Sequence, residues 1–251
     1  MARHSLLPLA GALSLAFAAG AFAGDVPANI AAGVANPARP EAQRARDANR
    51  HPAEILAFAG VKAGDRVGDL MMGGGYFTRV FSGAVGPEGK VYAFQASEFI
   101  AFMADYAKWQ DETASFAPNI VPVRASLGAV AFPEPLDLIF TAQNYHDLHL
   151  GSATPDQIAA INRSLFAALK PGGVLLVIDH HATAGSGDRD SNKLHRIDID
   201  TVKSEFAAAG FVLEAESDVL RNPADPRTAS VFDPSINGRT DQFVLKFRKP
   251  K

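Results

Sequence analysis

A turn of glycines between a strand and a helix constrains this fold more than any other feature of the sequence. Residues 66–70 predict a short strand, Gly73-Gly74-Gly75 follow it, and the residues from Tyr76 onward predict a helix. Glycines at such a turn let the backbone come close to a ligand, and the N–H groups at the helix N-terminus can point at it. A tight turn without a ligand has the same pattern. Asp69, at the end of the strand, favours a nucleotide-type site.

The rest of the chain alternates strands with helices, which is typical of a parallel α/β sheet. Further strands are predicted at residues 90–95, 119–125, 136–141, 174–179, 211–217 and 242–247. Pro122 places the third strand at a sheet edge, because proline cannot donate a hydrogen bond to a neighbouring strand. The last two strands lack a convincing helix between them, so the final strand is predicted to run antiparallel. Phe99, Phe102, Met103 and Tyr106 have the spacing of one face of a single helix after the second strand.

The first 23 residues predict a secretory signal peptide. Arg3 and His4 precede an apolar run over residues 6–22 that ends in Ala21-Phe22-Ala23, a typical cleavage site. A membrane anchor is the alternative, but the run is short and contains Pro8. We therefore expect a soluble periplasmic or secreted protein, with no stable membrane anchor after cleavage.

The mature chain is predicted to form a single domain. Residues 24–40 are rich in Ala, Pro and Asn without periodicity, which predicts a flexible lead-in. Residues 41–251 then form one α/β domain that begins with a small helical cap, whose second helix starts at Pro52 and ends at Gly60. Arg44, Arg46 and Arg50 in this cap either close a pocket as a lid or lie on a solvated face.

Composition excludes several classes of protein. The chain has no cysteine, which excludes disulfides, thiolate metal sites and a cysteine nucleophile. Its 24 basic residues against 27 acidic ones give a net charge of −3, so there is no basic excess that would favour nucleic acid as a partner. We expect a small-molecule substrate, and the sequence leaves the oligomeric state open.

Four segments of the chain resemble class I S-adenosylmethionine-dependent methyltransferases. They are residues 69–75, 87–93, 136–140 and 169–173. The resemblance implies a Rossmann-like, seven-stranded and mostly parallel sheet with helices on both faces, an antiparallel last strand, and S-adenosylmethionine as cofactor. A narrower resemblance, to exported predicted methyltransferases, rests on Arg50-His51-Pro52, Gly73-Gly74-Gly75, Asn144-Tyr145-His146-Asp147, Asp179-His180 and His195-Arg196-Ile197-Asp198.

The resemblance also implies roles for individual residues. Asp69 would orient the methionine end of the cofactor, and the backbone of the glycine turn would approach its carboxypropyl and ribose parts. Gln95 stands where the family has an acid that binds the ribose, and Ser126 stands near the adenine position. Met71 occupies the place of the family's first glycine. The full set of predicted cofactor-binding residues is Asp69, Gly73, Gly74, Gly75, Gln95, Ser126 and Asn144.

Polar residues follow the fourth and fifth predicted strands, and five of the seven histidines lie between residues 146 and 195. In a methyltransferase, His146 or His180 could be the base that accepts a proton from the methyl acceptor. Two or three of the histidines could instead bind a metal with Asp179 or Asp198, or they could only order loops. No recognised metal-binding spacing is present, so the predicted site contains no metal ligand.

The sequence therefore predicts an S-adenosylmethionine-dependent methyltransferase that acts on an unidentified acceptor, in first place a small molecule and in second place a protein side chain. Two alternatives stay open: a non-catalytic small-ligand-binding protein on the same fold, and a metal-assisted hydrolase that uses the histidine-rich rim.

Overall fold

The computed structural model describes residues 26–151 and 153–251, so the predicted signal peptide lies outside the described residues. The strands are β1 (Arg66–Leu70), β2 (Lys90–Ala96), β3 (Ile120–Ala125), β4 (Leu136–Ala142), β5 (Leu169–His180), β6 (Val212–Ser217) and β7 (Gln242–Arg248). The helices are α1 (Ala28–Ala35), α2 (Glu41–Arg44), α3 (Asp47–Arg50), α4 (Pro52–Ala59), α5 (Tyr76–Val85), α6 (Ser97–Phe102), α7 (Asp105–Ala114), α8 (Pro155–Ala168), α9 (Ser191–Leu194) and α10 (Ile199–Ala208), with 3₁₀ helices at Leu127–Ala129 and His146–His149.

In the described part of the chain, the strands form one seven-stranded sheet in the order β3-β2-β1-β4-β5-β7-β6. β7 runs antiparallel to both β5 and β6, and the other neighbours pair in parallel. The predicted fold class, the antiparallel last strand and the edge position of Pro122 in β3 are confirmed. The chain changes direction across the sheet between β1 and β4, and ligands bind at such a switch point in open α/β sheets.

Helices cover both faces of the sheet, because alternate strand residues point to opposite sides. Leu138 and Phe140 of β4 belong to one buried apolar cluster, together with Phe81 of α5. Ile139, between them, belongs to a second cluster that includes Leu165 of α8 and Phe206 of α10. The sheet is thus held between two cores, and its carboxyl edge is left to form sites. Among the described residues, no helix combines the length and the apolar character needed to cross a membrane.

The prediction of a flexible lead-in is wrong for residues 28–35, which form helix α1. Ile30 of this helix is fully buried. A Cβ on Gly33 would lie 2.7 Å from the backbone nitrogen of Ala84 in α5, so glycine is what allows the two helices to approach. The sequence lacked periodicity here because the close contact is made by small residues.

The prediction of one helix carrying Phe99 through Tyr106 is also wrong. The backbone becomes extended at Met103, which separates α6 from α7. The break lets the rings of Phe99 and Tyr106 meet edge to face with centroids 5.8 Å apart, and it leaves Phe102 87% exposed. These aromatic residues lie at the edge of the sheet where the candidate site is found.

Candidate functional site

A crevice of about 230 Å³ lies at the carboxyl ends of β1, β2 and β4. The glycine turn and residues of the cap helices α2 and α3 contribute to its walls. The residues that line it are Gln43, Arg46, Arg50, Asp69, Met71, Met72, Gly73, Gly74, Tyr76, Phe77, Gln95, Phe99, Tyr106, Phe140, Ala142, Gln143, Asn144 and Asp147. Of the seven predicted cofactor-binding residues, Asp69, Gly73, Gly74, Gln95 and Asn144 are brought together here.

The glycines of the turn have two different roles. A Cβ on Gly73 or Gly74 would have no atom within 4 Å, so both leave open space beside the crevice. A Cβ on Gly75 would overlap Oγ1 of Thr113 in α7, and the backbone φ of Gly75 is +73°. Gly75 is therefore required for packing between the turn and α7. Its predicted role in approaching the cofactor is not supported, because it does not line the crevice.

Met71 has a left-handed backbone conformation that favours glycine. Its φ is +53°, and its side chain is buried in the second core cluster. Nδ2 of Asn144 donates to the Met71 carbonyl oxygen at 2.5 Å. Methionine thus keeps the conformation that a glycine would adopt, at some steric cost, and Asn144 stabilises it.

Two opposite charges face the crevice. Asp69 is 3% exposed and accepts a hydrogen bond from Oγ1 of Thr78 at 2.5 Å. Burial raises the pKa of Asp69 to about 7, although the Thr78 bond and the charge of Arg50 act in the other direction. Burial likewise lowers the pKa of Arg50 to about 10, so its guanidinium remains charged at neutral pH. Asp69 and Arg50 therefore give the crevice a buried acidic and a partly buried basic group, in addition to Asp147 and Arg46, which also line it.

The cap holds Arg50 over the crevice. Its guanidinium lies 4.5 Å from the ring centroid of Tyr76, and Nη2 donates to Oε1 of Gln143 at 3.1 Å. The Tyr76 hydroxyl donates to Asp47 of α3, and Nε2 of Gln43 donates to the Gly74 carbonyl oxygen at 3.1 Å. These contacts support the lid interpretation for Arg50, whereas Arg44 is exposed and does not line the crevice.

Three side-chain amide oxygens that line the crevice are buried without a hydrogen-bond partner: those of Gln43, Gln95 and Asn144. Gln95 is 1% exposed at the end of β2. Buried polar atoms in native proteins nearly always have a partner, and an unsatisfied one is destabilising. Three acceptors at one crevice indicate a ligand that brings hydroxyl or amino donors.

Ser126 lies apart from the other predicted cofactor-binding residues. It lines a neighbouring cavity, and its Oγ donates to Oε1 of Glu98 at 2.5 Å. Glu98 also accepts from the backbone N–H of Leu127 at 3.1 Å. Our sequence reasoning missed Glu98, although an acid three residues after Gln95 was a usable signal.

The neighbouring cavity has a volume of about 1130 Å³ and shares Phe99, Tyr106, Gln143 and Asp147 with the crevice. The exposed rings of Phe102 and Phe232 lie at its mouth. His146, His180 and His195 line it, whereas His149 and His181 do not. Three of the five histidines of the predicted rim therefore line one cavity, and the other two lie elsewhere.

The pKa values of the two predicted bases are shifted in opposite directions. Burial would lower the pKa of His146, but the charges of Asp179 and Asp147 and hydrogen bonds to them raise that pKa to about 10. Burial lowers the pKa of His180 to about 4, and its Nδ1 lies 2.7 Å from Oγ1 of Thr240. These acidic neighbours favour the protonated form of His146 in the free protein, so His146 would have to lose a proton before it could act as a base or bind a metal ion. The base roles of His146 and His180 both stay predictions.

Gln43 and Gln143 are further crevice residues that the sequence reasoning missed. Gln143 directly follows β4 and precedes Asn144, so its position in the sequence could have indicated that it lines the site. It has a φ of +65°, and its Nε2 donates to Oε1 of Gln242 at 3.0 Å. Gln43 lies in a polar helix with no motif, and no sequence signal distinguishes it.

This sheet order, with an antiparallel β7 and a glycine turn after β1, is the class I S-adenosylmethionine-dependent methyltransferase fold. An S-adenosylmethionine-dependent methyltransferase from Aquifex aeolicus is similar with a TM-score of 0.55 and 21% identity, over 78% of this chain and 88% of that one. The [4+2]-cyclase SpnF is similar with a TM-score of 0.56 and 19% identity, over 86% of this chain and 85% of that one. Because a protein named as a methyltransferase and one named as a cyclase share this fold, the fold alone does not define the reaction, which has to be argued from the site.

A curated relative brings the comparison to the level of sequence. Over 124 residues, the chain is 33% identical to the ubiquinone/menaquinone biosynthesis C-methyltransferase UbiE of Yersinia enterocolitica. The matched region covers 48% of this chain and 45% of that protein, so the chain spans about half the length of the curated relatives it matches. No protein-family model matches the chain.

Proposed function

We propose that this protein transfers a methyl group from S-adenosylmethionine to a small molecule. The observation that carries the proposal is the crevice itself, in which Asp69, Arg50 and unpartnered amide oxygens meet beside the glycine turn. Its position at the carboxyl ends of β1 and β4 is where open α/β sheets bind ligands.

The charges of the crevice fit the amino-acid end of the cofactor. The Asp69 carboxylate can accept a hydrogen bond from the ammonium group. The Arg50 guanidinium can bind the carboxylate of the ligand through charge-assisted hydrogen bonds. A zwitterion needs both charges in one crevice, and both residues line it.

The unpartnered oxygen of Gln95 fits a ribose hydroxyl. Gln95 lies at the end of β2 with Oε1 buried and unsatisfied. A neutral amide accepts more weakly than the carboxylate that the family has at this position. We therefore expect Gln95 to preserve the contact at reduced strength. Gly73 and Gly74 leave room for the ligand beside the turn.

When bound, S-adenosylmethionine supplies a methyl carbon that its sulfonium has already activated. The chain's own contribution is then alignment and proton removal. His180 is neutral at pH 7 because burial lowers its pKa to about 4. Its Nδ1 bonds Thr240, so Nε2 is the nitrogen that would accept a proton from the acceptor.

The adjoining cavity is our proposed acceptor site. Its mouth carries Phe102 and Phe232, and Leu148, Leu150 and Ile161 lie on its wall. Such a lining favours an apolar small molecule over a charged one. The name of the curated relative, which places it in ubiquinone and menaquinone biosynthesis, supports an apolar acceptor.

Export to the periplasm is a further part of the proposal, supported by the sequence pattern of the first 23 residues and by the narrower resemblance to exported proteins. N-terminal sequencing of protein from a periplasmic extract is expected to begin at Gly24. A protein that stays in the cytoplasm and keeps Met1 would contradict export, and it would leave the crevice assignment intact.

Calorimetric titration with S-adenosylhomocysteine tests the crevice. We expect micromolar binding to the wild type and at least tenfold weaker binding to Gly74→Ala, whose added methyl group enters open crevice space without backbone strain. Gly128→Ala is the matched control, because Gly128 also tolerates a Cβ but lines the neighbouring cavity.

Equal affinities for both variants would contradict the assignment of the crevice. If the wild type fails to bind S-adenosylhomocysteine and S-adenosylmethionine, methyl transfer is excluded, and the result favours the alternative of a binding protein for another small ligand.

A further inference from the structure

Three potential metal ligands converge on the wall of the neighbouring cavity. His146 and Asp147 lie in the 3₁₀ helix after β4, and His195 follows α9. Nε2 of His146 lies 3.3 Å from Nδ1 of His195 and 3.2 Å from Oδ1 of Asp147. Nδ1 of His195 lies 3.7 Å from the same Asp147 oxygen. Each residue thus offers one donor atom to a common point.

We propose that His146, Asp147 and His195 bind a divalent transition-metal ion such as Zn²⁺. A tetrahedral zinc ion with ligand bonds of roughly 2.0–2.1 Å separates its ligand atoms by about 3.3 Å. The observed separations of 3.2, 3.3 and 3.7 Å are close to that value. This proposal replaces the sequence-based prediction that the site has no metal ligand.

Asp179 orients the imidazole ring of His146, one of the three proposed metal ligands. Oδ1 of Asp179 lies 2.8 Å from Nδ1 of His146, and Oδ2 accepts from the His146 backbone N–H at 2.7 Å. Asp179 is fully buried at the end of β5. Metal-binding histidines commonly donate their second ring nitrogen to a carboxylate, which fixes the tautomer and points the other nitrogen at the ion. Asp179 is therefore a positioning residue for this site.

The ligand set indicates both the class of ion and the form of the site. Two imidazoles and one carboxylate, without sulfur, suit zinc and similar first-row divalent ions. Three protein ligands leave one position of a tetrahedral ion open. All three residues line the large cavity, so that position is accessible to an oxygen or nitrogen donor of a small ligand.

Metal titration of the full mature chain, stripped with a chelator, tests the site. We expect one Zn²⁺ per chain by calorimetry and, with Co²⁺, the intense visible absorption of a tetrahedral ion. Asp179→Asn is expected to weaken Zn²⁺ binding by roughly ten- to a hundredfold, because the carboxylate that orients the His146 ring is lost.

His195→Asn is the decisive variant, and we expect it to abolish the Co²⁺ spectrum. His195 has a φ of +54°, which asparagine tolerates, so the fold should survive. His51→Asn is the matched control, because His51 also has a left-handed φ, of +44°, but lies on the surface beside Glu54. Its Zn²⁺ affinity should equal that of the wild type.

Unchanged Zn²⁺ affinity in folded His195→Asn, or the lack of one-to-one binding in the wild type, would overturn the proposal. The three groups would then be a hydrogen-bonded network without an ion. The metal site and the cofactor crevice are tested separately. His195→Asn is expected to lose metal binding but to keep wild-type affinity for S-adenosylhomocysteine.

Discussion

The crevice and the neighbouring cavity differ in how they are built. The crevice is small, lies against strand ends and the glycine turn, and combines Asp69 and Arg50 with unpartnered amides. The cavity is about 1130 Å³, has aromatic rings at its mouth, and takes His146 and His195 from separate connecting segments and His180 from the end of β5. The sheet thus positions the proposed cofactor site, whereas connections between elements shape the proposed acceptor site.

The ionisation of Asp69 should make cofactor binding strongly dependent on pH. The free protein holds Asp69 protonated below its pKa of about 7, so binding an ammonium there first requires loss of that proton. Affinity for S-adenosylhomocysteine should therefore rise by about tenfold for each pH unit between pH 5 and 6.5. Calorimetry across this range measures the slope, and Asp69→Asn should abolish it.

Asp65→Asn is the control for that slope. Burial also raises the pKa of Asp65, but this residue lies before β1 and does not line the crevice. The variant should keep the wild-type slope. A flat profile in the wild type would show that the ionised Asp69 carboxylate takes no part in binding.

Gly75→Ala should destabilise the fold by about 2–3 kcal/mol, because its Cβ would overlap Thr113 at a left-handed backbone position. In a Thr113→Ala background the cost should fall to about 1 kcal/mol, which is the backbone strain alone. Urea unfolding of the wild type, the two single variants and the double variant measures the coupling between Gly75 and Thr113. An equal loss of stability in both backgrounds would disprove the packing role of Gly75 and would favour its predicted role in cofactor binding.

Gln95→Leu should change affinity and stability in opposite directions. Removing an unpartnered buried oxygen should stabilise the free protein by about 1 kcal/mol, and the loss of the ribose contact should weaken S-adenosylhomocysteine binding by about tenfold. Urea unfolding and calorimetry measure the two effects.

Gln110→Leu is the matched control for that change. Gln110 is also fully buried, but its Nε2 donates to two backbone carbonyls and its Oε1 accepts from Arg124. Its replacement should destabilise the protein by about 1–3 kcal/mol. If Gln95→Leu behaves in the same way, the Gln95 amide has a structural role and not a ligand-binding one.

Two substitutions at Met71 distinguish backbone strain in the turn from the packing of the Met71 side chain. Both Met71→Ala and Met71→Gly remove the buried side chain, but only glycine relieves the backbone at φ +53°. We expect Met71→Gly to be more stable than Met71→Ala by about 1 kcal/mol, the reverse of the usual order. Thermal unfolding of the two variants compares them, and a more stable alanine variant would show that the turn is not strained.

The sequence was sufficient for features that depend on local patterns. β1 runs from Arg66 to Leu70 as predicted, and the apolar strand β4 and the antiparallel β7 follow from hydrophobicity and connection length. Asp69 was predicted from its place between the first strand and the glycine turn, near the switch point of the sheet, and Gln95 from the resemblance to the methyltransferase family.

The missed features depend on contacts between distant segments. Gly75 meets Thr113 of α7, and the lid contact of Arg50 requires Gln143 after β4. The convergence of His146 with His195 likewise depends on how two connections pack. No local periodicity or spacing records such contacts, so the candidate site was predicted only in part.

A crystal structure with S-adenosylhomocysteine would show directly whether the crevice binds the cofactor. We expect ligand density beside Gly73 and Gly74, with the amino-acid end between Asp69 and Arg50 and the ribose at Gln95. Density confined to the histidine-lined cavity, or a crevice closed by Met71 with no ligand beside it, would disprove the crevice assignment.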